Sequence, residues 1–218
     1  MDDNLLRYNK NVKYCYLDFE TQNLFLNFEF NKPWQIGIVN SVGNRITATH
    51  NIIVKWPEPL VFEDELVLHT FKTSQEELAY RIGTKGIPPE RAFRTMKENL
   101  EAADVIVVWN GLGFDQYLIK EAYACIGEKC PAEIYDKIIN GNFLIRGIKM
   151  GIPYKRGDNL LEYQYKIMSK HARGVKSKLS VVAKEQEIEF DENTLHDAIQ
   201  DVLLMKKVFE KIVWQVEI

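Results

Sequence analysis

Tyr16-Leu17-Asp18-Phe19-Glu20-Thr21 is the stretch whose reading decides the fold. Two carboxylates stand one residue apart near the end of an apolar run that starts at Val12. Val12 to Phe19 reads as a β-strand, and alternation puts Asp18 and Glu20 on one face with Tyr14 and Tyr16. Unneutralised carboxylates held this close repel each other, and a divalent cation that prefers oxygen relieves the repulsion. Taken alone, the stretch reads equally well as an acidic strand end entering a solvated turn.

Outward from that strand, Trp34 to Val39 reads as a second one. Ser41-Val42-Gly43-Asn44 supplies turn chemistry before the β-branched run Arg45 to Val54, so the chain opens as an antiparallel meander. Ser74 to Ile82 is a short helix, and Pro88-Pro89-Glu90 sets prolines at the entry of a longer one ending near Ala102. Asp104 to Trp109 contains Val-Ile-Val-Val, the pattern of a buried central strand. It runs into Asn110-Gly111-Leu112-Gly113-Phe114-Asp115. Phe114, Leu118, Ala122 and Cys125 then recur at helical spacing, which places Asp115 in a helix's opening turn, as a cap or as a ligand. Gly111 and Gly113 lack the third glycine of a dinucleotide-binding loop.

Between Gly127 and Gly157 the pattern loosens to a small helix and loops. Asp158 to Leu161 reads as a short edge strand and Glu162 to Met168 as a helix. A basic stretch follows, with Lys166, Lys170, His171, Arg173, Lys176 and Lys178, either a solvated face or a phosphate-binding track. In the last helix Thr194 and Asp197 have capping-box spacing, so Thr194 is the expected N-cap and His196 falls in the first turn. Ala198, Met205, Val208 and Ile212 form its apolar stripe, and Asp201 sits inside that stripe. An acid there is either paired with a cation of the protein or faces a metal beside the first strand.

A chain of 218 residues, 46% hydrophobic and 27% charged, fits one globular domain spanning residues 1–218. The formal net charge of −3 gives no global basic field, so a nucleic-acid partner has to be met by a local patch or by bound metal ions. No segment approaches the ~20 apolar residues of a membrane span, and a cytoplasmic protein with no membrane partner is expected. Cys15, Cys125 and Cys130 lack zinc-ligand spacing and read as reduced thiols, with Cys15 in the core.

With these residues in place, the chain resembles the DEDDh exonucleases, the 3′-to-5′ exonuclease family that includes polymerase proofreading subunits, ribonuclease T and oligoribonuclease. Three motifs match in order: Asp18-Phe19-Glu20-Thr21, then Asn110 through Asp115, then His196-Asp197-Ala198-Ile199-Gln200-Asp201. The segment Lys178 to Ala183 is similar to the helix that precedes the family's third motif. Two departures stand out: Gln22-Asn23 follows Thr21 where the family often has Thr-Gly, and the Asn110-to-Asp115 spacing is closer to that of family B polymerase proofreading domains.

The resemblance implies an α/β, RNase H-like fold, a mixed central sheet that begins with the meander and carries helices on both faces. It implies two divalent ions, Mg²⁺ or Mn²⁺, held by Asp18, Glu20, Asp115 and Asp201. Asp18 would bridge them, Glu20 and Asp201 complete the first site, Asp115 reach the second through water, and His196 take the proton of the attacking water. The substrate it implies is the 3′ end of single-stranded nucleic acid, with DNA expected in preference to RNA and the terminal nucleotide expected to be gripped by Thr21, Gln22, Asn110 and Phe114. Lys170, Arg173 and Lys176 are the candidates for its upstream phosphates, followed by Arg146, Lys149, Lys155 and Arg156. An exoribonuclease or oligoribonuclease and a catalytically silent nucleic-acid-binding domain of the same fold are the alternatives. The short stretch after Asp201 leads us to expect no polymerase-docking tail.

Overall fold

The strand that carries the two acids is the middle strand of a five-stranded sheet. The computed structural model describes residues 10–62, 68, 71–109, 113–155 and 157–215. Its strands are β1 (Lys13–Thr21), β2 (Pro33–Val42), β3 (Arg45–Ile53), β4 (Val105–Val108) and β5 (Ile138–Asn140), laid side by side in the order β3-β2-β1-β4-β5. The first three pair antiparallel, while β4 lies parallel to β1 and β5 parallel to β4. Helices α1 (Gln75–Lys85), α2 (Pro89–Ala102), α3 (Asp115–Cys125), α4 (Ala132–Asp136), α5 (Gly141–Lys149), α6 (Leu160–Ser169), α7 (Leu179–Glu185) and α8 (Ala198–Ile212) surround it.

Alternation along β1 divides the core in two. Tyr14 and Tyr16 face α8, where their rings meet Phe209 edge-on at 6.2 and 6.0 Å; Leu144, Tyr163 and Val182 of α5, α6 and α7 complete that layer. Cys15, Leu17 and Phe19 point the other way, onto Phe93 and Met96 of α2 and Leu118 and Ile119 of α3. A third cluster around Trp34 and Ile53 is capped by Leu78 of α1. This mixed sheet with helices on both faces is the RNase H-like arrangement expected from the sequence. No helix of the described residues is long and apolar enough to cross a membrane. Cys15, Cys125 and Cys130 carry free thiols.

Three local expectations are corrected. Residues 127–157 hold more than a small helix and loops: α4, the edge strand β5 and the nine-residue α5 lie there. Asp158 to Leu161 is not a strand, because the Asn159 side chain accepts a hydrogen bond from the Glu162 amide at 3.1 Å and starts α6 at Leu160. Thr194 does not cap the last helix. Its hydroxyl donates to the Asp191 carbonyl at 2.8 Å, closing a 3₁₀ turn over Glu192–Thr194, and α8 begins at Ala198 with Asp197 as its N-cap.

What lets α8 reach the acids is a glycine. Gly37 of β2 lies opposite Asp18 in the register, and a Cβ there would come within 2.4 Å of the Ala198 carbonyl oxygen and 2.8 Å of the Ile199 nitrogen. The obstruction is backbone, which cannot swing aside as a side chain does. Gly37→Ala is therefore expected to cost ~1–3 kcal/mol through overpacking, read as a lowered denaturant midpoint. Gly83→Ala is the contrast: in α1 its Cβ meets nothing within 4 Å, so the helix gains up to about 1 kcal/mol. Equal midpoints for wild type and Gly37→Ala would refute the close approach.

Candidate active site

β1 and β4 run parallel, so their carboxyl ends open at the same sheet edge, where open α/β sheets bind ligands. β1 delivers Asp18 and Glu20 there, and its register slips between Glu20 and Thr21 as the strand leaves the sheet. Asp115, 4% exposed, opens α3 beyond β4. Phe114 is the N-cap of that helix and supplies no side-chain cap, and the Asp115 carboxylate accepts a hydrogen bond from its own backbone amide. α8 brings Asp201 from the other face. A carboxylate oxygen of Glu20, a carboxylate oxygen of Asp201 and a ring nitrogen of His196 all lie within 4.8 Å of one another.

Burial raises the pKa of each of the four acids, and neighbouring carboxylates add to it at Asp18 and Glu20. Burial and then the charges of Glu20, Asp201 and Asp115 hold Asp18 well above the usual carboxylate range. Glu20 is raised by burial, then by Asp201 and Asp197, with Arg81 opposing. Burial pushes Asp115 up to about 7 and Asp201 up to about 6, the latter eased by the hydrogen bond from the His196 amide. Crowding by protein atoms lowers His196, and the positive charges of Lys72 and Lys178 lower it further. Its imidazole is thus held neutral, and it lies outside the helix first turn in which the sequence placed it.

His196 stands before the helix, at a φ of +65°. Its backbone N–H donates to Asp201 Oδ2 at 3.1 Å, so one hydrogen bond fixes both the unusual backbone and the acid. Asp197, between them, pairs with Arg81 Nη2 of α1 at 3.0 Å, and the Arg81 guanidinium lies over the Trp34 ring at 5.5 Å. Gly37, Arg81 and Asp197 are the site residues that sequence reasoning missed. A lone glycine inside a strand was the available signal for close backbone approach; Arg81 had none.

A cleft of about 2210 Å³ opens on this edge, lined by Asp18, Glu20, Asp115, His196 and Asp201. Thr21, Gln22 and Phe114 line it too, but the Thr21 hydroxyl donates to the Asn23 carbonyl at 2.6 Å. Gln22 is likewise engaged, donating to the Val61 carbonyl and accepting from the Lys32 amide. Of the basic stretch, Lys176 and Lys178 line the cleft, whereas Lys170 and Arg173 are exposed outside its lining. Arg146, Lys149 and Lys155 do not line it either, and Lys149 is bound to Glu185 and the Lys176 carbonyl. Asn110 and Arg156 lie outside the described residues.

The donor set suits a hard divalent cation, which takes carboxylate oxygens. Asp201 Oδ1 is buried and makes no hydrogen bond among the described residues. An anionic oxygen in that state needs a positive partner.

Fold and site together define an RNase H-like domain with a carboxylate cluster at the carboxyl edge of its central strands. No protein-family model matches the chain, and a sequence search of curated proteins finds no match. Solved structures do match. The zinc-bound complex of E. coli exonuclease I with ssDNA aligns with a TM-score of 0.70 at 14% identity, over 94% of this chain and 41% of that one. Exonuclease I in its apo form gives 0.69 at 14% over 94% and 42%, and the E. coli enzyme with a dA16 oligonucleotide 0.67 at 13% over 94% and 41%. This likeness establishes the fold, and the chain spans about two fifths of the length of these structures.

Without metal, the raised carboxyls make stability depend on pH in a defined direction. Between the ordinary value of 3.8 and about 7, folded Asp115 keeps a proton that the unfolded chain has lost. Stability therefore falls as pH rises through that window and levels off above it. In chelator, Asp115→Asn is expected to melt increasingly above wild type as pH climbs from about 4 to about 7. A difference in Tm that stays constant across that range would disprove the shift.

Proposed function

We propose that this chain is a metal-dependent 3′-to-5′ exonuclease of DEDDh type, with residues 1–218 forming a single exonuclease domain that releases nucleoside 5′-monophosphates. The observation that carries the reading is the convergence of Asp18, Glu20, Asp115 and Asp201 with a neutral His196 at one sheet edge. Single-stranded DNA is the proposed substrate. The similar exonuclease I structures hold ssDNA or a dA16 oligonucleotide, and the cleft is lined by lysines that suit phosphates. Mg²⁺ or Mn²⁺, two ions, are the proposed cofactors, and the cytoplasm the proposed location.

Phosphodiester hydrolysis needs an activated water and stabilisation of the departing 3′-oxygen. Bound divalent ions supply the positive charge for both tasks. Asp18, Glu20, Asp115 and Asp201 hold that charge at the sheet edge, where their mutual repulsion is relieved by it. His196 faces Glu20 and Asp201 as a neutral base and takes the proton of the attacking water. The Asp201 carboxylate holds the His196 backbone through its amide, and Arg81 holds Asp197 beside them. Lys176 and Lys178 bind phosphates of the strand; Lys170 and Arg173 extend that track outward along the same loop.

Asp18→Ala and Asp201→Ala should abolish hydrolysis of a labelled single strand while leaving the fold intact, since each removes an anionic ligand and no packing; Asp201→Ala also removes the acceptor of the His196 amide. His196→Ala should slow turnover by ~10² to 10⁴ and leave metal binding unchanged. Products should leave singly from the 3′ end, stop with chelator, and stop when that end is blocked; degradation of a circular strand at an equal rate contradicts the reading. Replacing Lys176 and Lys178 with Ala should weaken binding of long single strands. It should also flatten the slope of log affinity against log salt by about 0.7 per lost phosphate contact.

A further inference from the structure

The loop from Gln22 to Lys32, which joins β1 to β2, keeps large apolar side chains in water. Leu24, Phe25 and Phe30 are 83%, 69% and 63% exposed. Such a patch marks either a floppy segment or a surface with a partner. Hydrogen bonds give the loop a defined backbone. Asn31, fully buried, accepts from the Asn23 amide at 3.0 Å and donates to the Phe25 carbonyl at 2.8 Å. Asn23 donates to the Phe30 carbonyl and accepts from the Phe25 amide, both at 2.8 Å, while Asn27 accepts from the Glu29 amide at 3.0 Å.

The loop also sorts its aromatic rings. Phe28 turns inward onto Trp56 and Phe93, and its amide donates to Tyr117 Oη at 2.7 Å. A loop that packs one of its three phenylalanines, half-buried, against the core leaves the other two facing the cleft on a hydrogen-bonded backbone.

Phe25 and Phe30 line the same cleft as the carboxylates, and Lys32, Lys176 and Lys178 line it with them. The ligand that matches flat apolar faces beside spaced cations has flat apolar groups alternating with anions. Unpaired nucleobases on a phosphate backbone have that chemistry, whereas a duplex hides its base faces. We infer that Phe25 and Phe30 form a base-stacking platform for single-stranded substrate entering the cleft. This subsite rests on the nuclease reading above. Every base has a π-face, so the platform accepts all four and favours unpaired ends.

The test is binding in chelator, where no strand is cut, of a fluorescent poly(dT) oligonucleotide and of an abasic oligonucleotide with the same number of phosphates. Phe25→Ala/Phe30→Ala should bind poly(dT) about tenfold more weakly or worse, the size of a lost stacking contact, and bind the abasic strand as the wild type does. Phe25→Tyr/Phe30→Tyr should restore poly(dT) binding, because a phenol ring stacks as well. Equal losses on both oligonucleotides, or no loss on poly(dT), overturn the platform. So does a wild-type dimer in sedimentation that the double Ala substitution dissociates, which would make the patch an interface between two copies of the chain. If the wild type cuts oligonucleotides with Mg²⁺ and the double Ala variant binds poly(dT) undiminished, the platform falls alone. If the wild type neither binds nor cuts them, the nuclease reading falls with it.

Discussion

The structure depends on the approach of the α8 N-terminus to the sheet at Gly37. At that point the Ala198 backbone takes the space that any Cβ on β2 would fill. Because Gly37 lies opposite Asp18 in the register, the contact that seats the helix also sets the distance between acids on different elements. The Tyr14, Tyr16 and Phe209 rings pack further along the same face. A large hydrophobic interface thus holds the helix while its first turn carries the polar residues that the interface alone would repel.

That arrangement is unfavourable without a cation. Asp18, Glu20, Asp115 and Asp201 are all raised by burial, and for Asp18 and Glu20 neighbouring carboxylates add to it. Among the described residues few protein charges offset them: Arg81 opposes the shift at Glu20, and Lys72 and Lys178 act on His196. Repulsion left in place at one end of a well-packed sheet reads as strain kept for a ligand. Arg81 spans two roles, since it pairs with Asp197 at the helix start and covers Trp34 on the outer sheet. α1 is thereby coupled to the site it does not line.

Sequence legibility followed the range of each interaction. The alternation of β1 and the Val-Ile-Val-Val of β4 are local patterns that burial on both faces enforces, and the fold built on them matches the expectation. Asp201 was visible because an acid interrupts an otherwise apolar stripe. β5 spans three residues, too few for any period to register. The start of α8 was misplaced because Thr194 and Asp197 imitate a capping box while Asp191 claims the Thr194 hydroxyl. Asn159 and Glu162 do form the local signature of a helix start, and the apolar pair between them made it read as strand. Arg81 meets Asp197 across 116 positions of sequence, a partnership that no local pattern announces.

The basic loop after α6 shows how a segment without regular structure becomes part of a rigid edge. The Ser177 carbonyl accepts hydrogen bonds from Trp109 Nε1 at 3.0 Å and Asn142 Nδ2 at 3.2 Å. One donor follows β4 and the other lies in the first turn of α5, and a Cβ on Gly141 would come within 2.7 Å of the Trp109 ring. Lys149 of α5 holds the neighbouring Lys176 carbonyl. With successive carbonyls pinned to the sheet edge and to α5, the Lys176 and Lys178 stems leave from fixed points beside the acids. Among the described residues neither ammonium group is hydrogen-bonded or ion-paired. Under the nuclease reading, cations that start from a fixed backbone lose less conformational freedom on binding than the same lysines on a loose loop. Under that reading the Trp109 indole and the Asn142 amide support substrate binding by holding this loop in place.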